Sequence, residues 1–206
     1  MIFEDRFRPR VITGRSLSAV SALVLTVMMF ALFPVIALII KLTSNGPILS
    51  RQETVGLKGR IFYRYRFRTV RIVTEGDKEC TSVCPDDSRL TKVGRFLRMV
   101  RLDELPLILN VLRGEMAFVA PQPERPEIVE EFNRAIPFYG LRYALPPGLT
   151  GYAQGFQKFG NTVEDAKERL RYDLFYVKNG SPGFDVLIIF MTIRAVLLGK
   201  KREIVS

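Results

Sequence analysis

The sequence predicts an α+β protein, mainly α, in which an apolar N-terminal membrane element precedes a compact domain with a small sheet and amphipathic helices. Three observations carry that reading. Residues 17–40 contain no charge. Residues 91–100, 126–136 and 163–178 place apolar side chains at helical spacing. Residues 61–68 alternate with the period of a strand.

Composition sets bounds on the chemistry. The chain has 206 residues, a formal charge of +10, no histidine and no tryptophan. That length holds one domain of ordinary size, or a smaller one plus a membrane element. Without histidine, acid–base or nucleophilic work falls to Asp, Glu, Lys, Tyr, Ser or Cys. The positive balance suits polyanions: nucleic acid, an anionic membrane or phosphorylated substrates. Cys80 and Cys84 are the only cysteines, and two thiols without histidine do not complete a four-ligand zinc site. They read as free thiols in a reducing compartment.

Residues 1–16 are a basic segment, with Arg6, Arg8, Arg10 and Arg15 against Glu4 and Asp5. The apolar run of about 24 residues then rises roughly 36 Å as a straight helix, enough for a bilayer core. It is long for a signal peptide, and no small-x-small cleavage site follows it. Pro34 removes a helical hydrogen bond, so a kink is expected near Phe30–Pro34. Basic residues flank both ends, with Lys41, Arg51, Lys58 and Arg60 on the far side. Two arrangements satisfy the positive-inside rule. One is a helix that dips in, bends at Pro34 and returns. The other is an ordinary span followed by a large translocated domain.

Residues 41–206 then form the domain. Asn45-Gly46-Pro47 is a turn, and residues 55–59 are a loop. In the following strand Ile61, Tyr63, Tyr65 and Phe67 alternate with Phe62, Arg64, Arg66 and Arg68, giving one face an arginine lining. Such a face binds phosphate or lipid headgroups, or is simply solvated. Residues 74–90 are a polar loop, and residues 91–100 a short basic amphipathic helix. A helix from the Asp103–Glu104 pair to about Leu112 ends at Gly114. A strand at 116–119, a rigid Pro-rich piece at 120–124 and a helix at 126–136 follow. Residues 146–154 are a loop and short strand. The helix at 163–178 carries the stripe Val163, Ala166, Leu170, Leu174 and Val177, with its charges expected on the other faces. Asp185 is expected to cap a last apolar helix at 186–198, either buried or lying in the membrane interface with Arg194 and Lys200–Arg202 at headgroup level.

The candidate chemistry lies in residues 98–113. Asp103 and Glu104 are adjacent carboxylates at the expected start of a helix, with Arg98 and Arg101 before them. An acid there is an ordinary N-cap, with Pro106 tolerated in the first turn. The same geometry also suits a phosphate-handling site, where free N–H groups and arginines hold negative charge.

Nine segments in order carry a family resemblance: IKLTSNGPILSRQ, VGLKGRIF, YRFRTV, RLTKVGRFLR, LDELP, NVLRGEM, PQPERP, PPGLTGYAQ and YDLFYVKN. Together, behind an apolar run, they resemble the bacterial sugar transferases, monotopic phosphoglycosyl transferases that start polysaccharide and glycoprotein assembly on a polyprenyl phosphate. The resemblance implies a re-entrant hairpin broken near Pro34, under a catalytic domain on the cytoplasmic face of the bacterial inner membrane. It implies transfer of a phosphosugar from a nucleotide sugar, a UDP-sugar by family habit, to undecaprenyl phosphate, with release of nucleoside monophosphate. Asp103 would be the nucleophile, forming an aspartyl intermediate, and Glu104 would hold Mg²⁺. Arg66, Arg68 and Arg98 match the family's basic, phosphate-binding positions, and Gln122 stands at another where the family has Pro-Arg-Pro.

Further departures are Phe33 for a serine before Pro34, Pro146 for a basic residue, Leu107 for a glutamine, and Arg101 for a small hydroxyl residue. Arg101, Arg142 or Lys158 are candidates to compensate for the lost cations. Gln122 and Pro146 also motivate an alternative, a weak or inactive member acting as a scaffold in polysaccharide assembly. Expected partners are the nucleotide sugar, polyprenyl phosphate and anionic inner-leaflet lipids, not nucleic acid, and a homo-oligomer is allowed.

Overall fold

A computed structural model describes residues 27, 29–44, 46–71, 90–155 and 162–197. The N-terminal segment 1–16, the cysteines, Lys158 and Lys200–Arg202 lie outside the described residues.

Helix α1 covers residues 29–43 and continues through Pro34. Helical bonding on both sides of a proline is what a kinked helix retains. Ile36 and Ile40 of α1 are buried in the main core, and the Phe33 and Phe67 rings lie 5.2 Å apart. The outer face of α1 is apolar and bare: Phe30, Val35, Leu38 and Leu42 are all exposed. Half of the apolar run is thus docked on the domain. Among the described residues no helix is long and apolar enough to cross a membrane.

Strands β1 (Leu49–Val55) and β2 (Ile61–Phe67) form an antiparallel hairpin running from Leu49↔Phe67 to Val55↔Ile61. The connection is a 3-10 turn, Leu57–Gly59, with positive φ at Lys58 and Gly59. The free edge of β2 is tied down by Asn110, which is fully buried. Its carboxamide accepts from Tyr65 N and donates to Tyr63 O and Glu115 Oε2.

Helix α2 (Lys92–Met99) starts at Thr91, whose hydroxyl accepts from Gly94 N as a cap should. A 3-10 turn, Leu102–Leu107, leads into α3 (Ile108–Leu112), and Gly114 leaves it at φ +76. The predicted helix from the dyad is therefore a 3-10 turn with Pro106 inside and one α-turn beyond. Strand β3 (Ala117–Val119) pairs in parallel with β4 (Gly148–Thr150). A side chain at Gly148 would meet Ala120 N at 2.3 Å, so the Pro-Pro-Gly segment lets two backbones touch. Helix α4 (Pro126–Ala135) lies between these strands in sequence, as predicted.

Helix α5 (Val163–Asn179) buries Ala166, Leu170 and Val177 as its stripe requires. The expectation that its charges face outward fails at Asp173. That carboxylate is buried and paired with Arg142 at 2.7 Å. Arg142 also pairs with Glu124 at 2.9 Å, and Arg169 with Glu124 at 2.7 Å. The Tyr139 hydroxyl completes the cluster by donating to Glu124. Tyr172 and Phe175 of the same helix pack on Tyr152, and the Tyr176 hydroxyl lies 2.9 Å from Val119 O and 2.7 Å from Asp185 Oδ1. The YDLFYVKN segment is thus the brace between α5, β3 and the last helix.

That last helix, α6 (Pro182–Leu197), begins a turn earlier than expected. Ser181 Oγ accepts from Phe184 N at its start, and Asp185 is turned to Tyr176 instead of capping. Ile188 is buried, whereas Val186, Leu187, Phe190 and Ile193 are exposed. The buried-core alternative for this helix is therefore excluded.

Candidate active site

Two elements bring the site together. Strand β2 carries Arg64 and Arg66 at alternate positions, so both side chains leave the same face. The 3-10 turn that holds Asp103 and Glu104 packs against that strand. Arg66 Nη2 meets Glu104 Oε1 at 2.8 Å, and Arg101 Nη2 meets Glu104 Oε2 at 3.4 Å. The predicted arginine face is therefore turned toward the dyad and not simply solvated.

The N-cap reading of Asp103 is not realised. The residue before the turn is Arg101, which makes no side-chain cap and has φ 58. A non-glycine residue in the left-handed region is held there by its surroundings. Glu104 N bonds back to Arg101 O, closing the turn that presents the dyad. Asp103 is only 7% exposed. Burial pushes its carboxyl up to about 6, Glu104 adds to the rise, and Arg66, Arg98 and Arg101 pull against it. A group at about 6 is still mostly the carboxylate at neutral pH, while its poor solvation leaves it the stronger nucleophile.

The other predicted phosphate ligands divide. Arg98, in the last turn of α2, donates through Nε to Thr69 Oγ1 at 2.9 Å and its charge reaches Asp103. Arg68 points elsewhere: it is buried, and its Nη2 bonds Ser44 O and Oγ at the end of α1. It ties α1 to the sheet. Gln122 accepts from Arg142 Nη2 through its backbone carbonyl at 3.1 Å. Of the three suggested compensating cations, Arg101 lines the dyad. Arg142 is spent on Glu124 and Asp173, and Lys158 lies outside the described residues.

Sequence reasoning places Arg64 on the arginine-lined strand face without assigning it to the site, and passes over Arg125. Arg64 Nη2 donates to Gln52 Oε1 at 2.6 Å. Burial lowers its guanidinium to about 9, and Arg66 and Arg125 press the same way, against Glu104 and Asp103. The signal was present: Arg64 shares a strand face with Arg66.

Among the described residues no three acidic, cysteine or histidine side chains cluster. Mg²⁺ needs no such cluster, since one or two carboxylates plus substrate phosphates suffice. Glu104 places a carboxylate beside the arginines of the site, the donor type such an ion takes, so the dyad fits it.

A carboxylate pair ringed by arginines on a small α+β scaffold suits phosphate handling. The chain belongs to the bacterial sugar transferase family, whose sequence model matches residues 10–199. It is 39% identical over 164 residues to a UDP-N-acetylgalactosamine-undecaprenyl-phosphate N-acetylgalactosaminephosphotransferase of Aeromonas hydrophila, covering 79% of this chain and 38% of that one. It is 40% identical over 160 residues to a UDP-glucose:undecaprenyl-phosphate glucose-1-phosphate transferase of Escherichia coli K12, covering 77% and 34%. A protein of the same name from Caulobacter vibrioides is 39% identical over 185 residues, covering 89% and 69%. The chain thus spans little more than a third of the length of the first two relatives.

Proposed function

We propose that the chain transfers a sugar 1-phosphate from a UDP-sugar to undecaprenyl phosphate through a covalent intermediate on Asp103. The buried, arginine-ringed Asp103 carries this reading, and the relatives' names supply the substrate class. In the first half-reaction an Asp103 oxygen attacks the sugar-linked phosphorus. The bond to the bridging oxygen breaks and uridine monophosphate leaves with it. In the second, an oxygen of the lipid phosphate attacks the same phosphorus. The acyl phosphate bond breaks, the Asp103 carboxylate returns, and a polyprenyl diphosphosugar departs. The lipid phosphate attacks as an anion, so no histidine base is required.

Arg66 and Arg101 orient Glu104, and with Arg98 they neutralise charge that gathers on the transferring oxygens. Glu104 would hold Mg²⁺ with the donor diphosphate, and the ion, when bound, screens the negative charge that opposes an attacking carboxylate. The apolar outer faces of α1 and α6 support a seat in the inner membrane, with the part of α1 after Pro34 as the returning arm of a hairpin bent there.

The decisive experiment is Asp103→Asn with a radiolabelled UDP-sugar and undecaprenyl phosphate. Turnover should fall by at least about 10³-fold, and mass spectrometry of the wild type with donor alone should place a phosphosugar on the Asp103 peptide. Near-normal turnover of the variant, or product without any adduct, ends the proposal.

A further inference from the structure

We propose that Arg64 binds a phosphate oxygen of the donor diphosphate, as a second fixed cation beside Arg66. The inference rests on the phosphosugar-transfer reading for the identity of the anion, but its grounds are separate.

The first ground is position. Arg64 and Arg66 stand two residues apart on one face of β2, about 7 Å along the strand. Arg66 already touches Glu104, so Arg64 lies one step from the dyad on the same wall.

The second ground is unmet bonding capacity. A guanidinium has five N–H donors. The bond from Arg64 Nη2 goes to a neutral amide, Gln52, its partner across the hairpin. Arg64 Nε is buried with no acceptor, and so is Arg66 Nε. Among the described residues Arg64 forms no ion pair with any carboxylate. A strut between strands needs no charge there: a glutamine or an apolar residue would serve.

The third ground is local charge. Among the described residues, Asp103 and Glu104 are the acids that act on Arg64, with Arg66 and Arg125 as like charges beside it, and Arg125 also feels Glu127. Glu104 is already shared between Arg66 and Arg101. Burying Arg64 beside like charges costs stability unless an anion joins them. A diphosphate supplies the missing charge and the missing acceptors in one group.

The test is calorimetric binding of UDP and of inorganic pyrophosphate to the full chain in detergent, at fixed magnesium. Arg64→Met should weaken both by about ten- to a hundredfold, the loss of one charge-assisted contact. Arg64→Lys should recover part of the affinity, because it restores the charge without the fork. An Arg64→Met protein that binds UDP within twofold of wild type overturns the proposal. So does an Arg64→Lys protein that binds no better than Arg64→Met, since charge would then be irrelevant. If Arg64→Met does not fold, Arg64→Gln is read by the same two criteria. Should the wild type turn over no UDP-sugar while UDP binding still depends on Arg64, the transferase reading fails and the anion site stands.

Discussion

Gly94 shows how one residue without a side chain can govern a site it does not line. It sits in α2, and a Cβ there would meet Thr69 O at 2.1 Å. That carbonyl is backbone: it accepts from Thr91 N and from the Thr91 hydroxyl, so it cannot swing away. The close approach fixes the distance between α2 and the end of the hairpin. The same α2 carries Arg98, which bonds Thr69 Oγ1 and acts on Asp103. Gly94→Ala should therefore cost about 2–3 kcal/mol of stability and lower kcat as well, because the helix must back away with its arginine. Chemical denaturation and steady-state kinetics on the same preparation check both halves. A variant with wild-type stability would show that α2 can shift freely. Asn110 is the complementary case, a polar side chain needed at full burial because three groups depend on it.

At the scale of elements, α1 and α6 present the same contradiction. Each buries one apolar edge and leaves the other bare: Phe30, Leu38 and Leu42 on α1, Leu187, Phe190 and Ile193 on α6. Water-exposed apolar faces on two helices of one domain are costly unless something apolar covers them. Under the proposed membrane seat that cover is a bilayer surface, in keeping with the uncharged run at 17–40. Arg68 bonds the end of α1 at Ser44, and this fixes the helix exit to the sheet that carries the site. The returning arm of a hairpin would then end on the side where its entry began. Single cysteines placed at Ser16 and Ser44 in intact cells, with both native cysteines replaced, test that geometry. A membrane-impermeant thiol reagent added outside should label neither until the cells are opened. Labelling of one alone would mean that the chain crosses the membrane.

For the molecule as a whole, what the sequence made legible was local. Periodicity found α2, α4, α5 and β2, and the motif order found the family. What it hid was pairing at long range. Arg142 was offered as a site cation because charge alone does not say where a side chain points. Its partner had left a trace. Asp173 falls on the α5 stripe between Leu170 and Val177, and a carboxylate at a core position implies a buried cation. The cluster of Arg142, Glu124, Asp173 and Arg169 joins α5 to the segment that carries Gln122, so its ionisation bears on the stability of the whole domain. Burial works against charge on Glu124, but Arg142, Arg169 and the Tyr139 hydroxyl outweigh it and hold the carboxyl below its ordinary 4.5. A carboxyl with a lowered folded-state pKa contributes stability that is present above the unfolded value and lost as pH falls through the folded one. Asp173 acts in the opposite sense, because burial pushes it up to about 6 despite Arg142 and Arg169, and the Glu124 charge adds to that rise, which Glu124→Gln would relieve. Glu124→Gln should thus be less stable than wild type by about 3 kcal/mol at pH 6, since it leaves Arg142 and Arg169 short of an anion. The gap should narrow as the pH is taken from above 4.5 toward 3, where wild type loses what the variant never had. Urea midpoints across that range read the difference directly, and a gap that stays constant would show that Glu124 is not held ionised by the arginines around it.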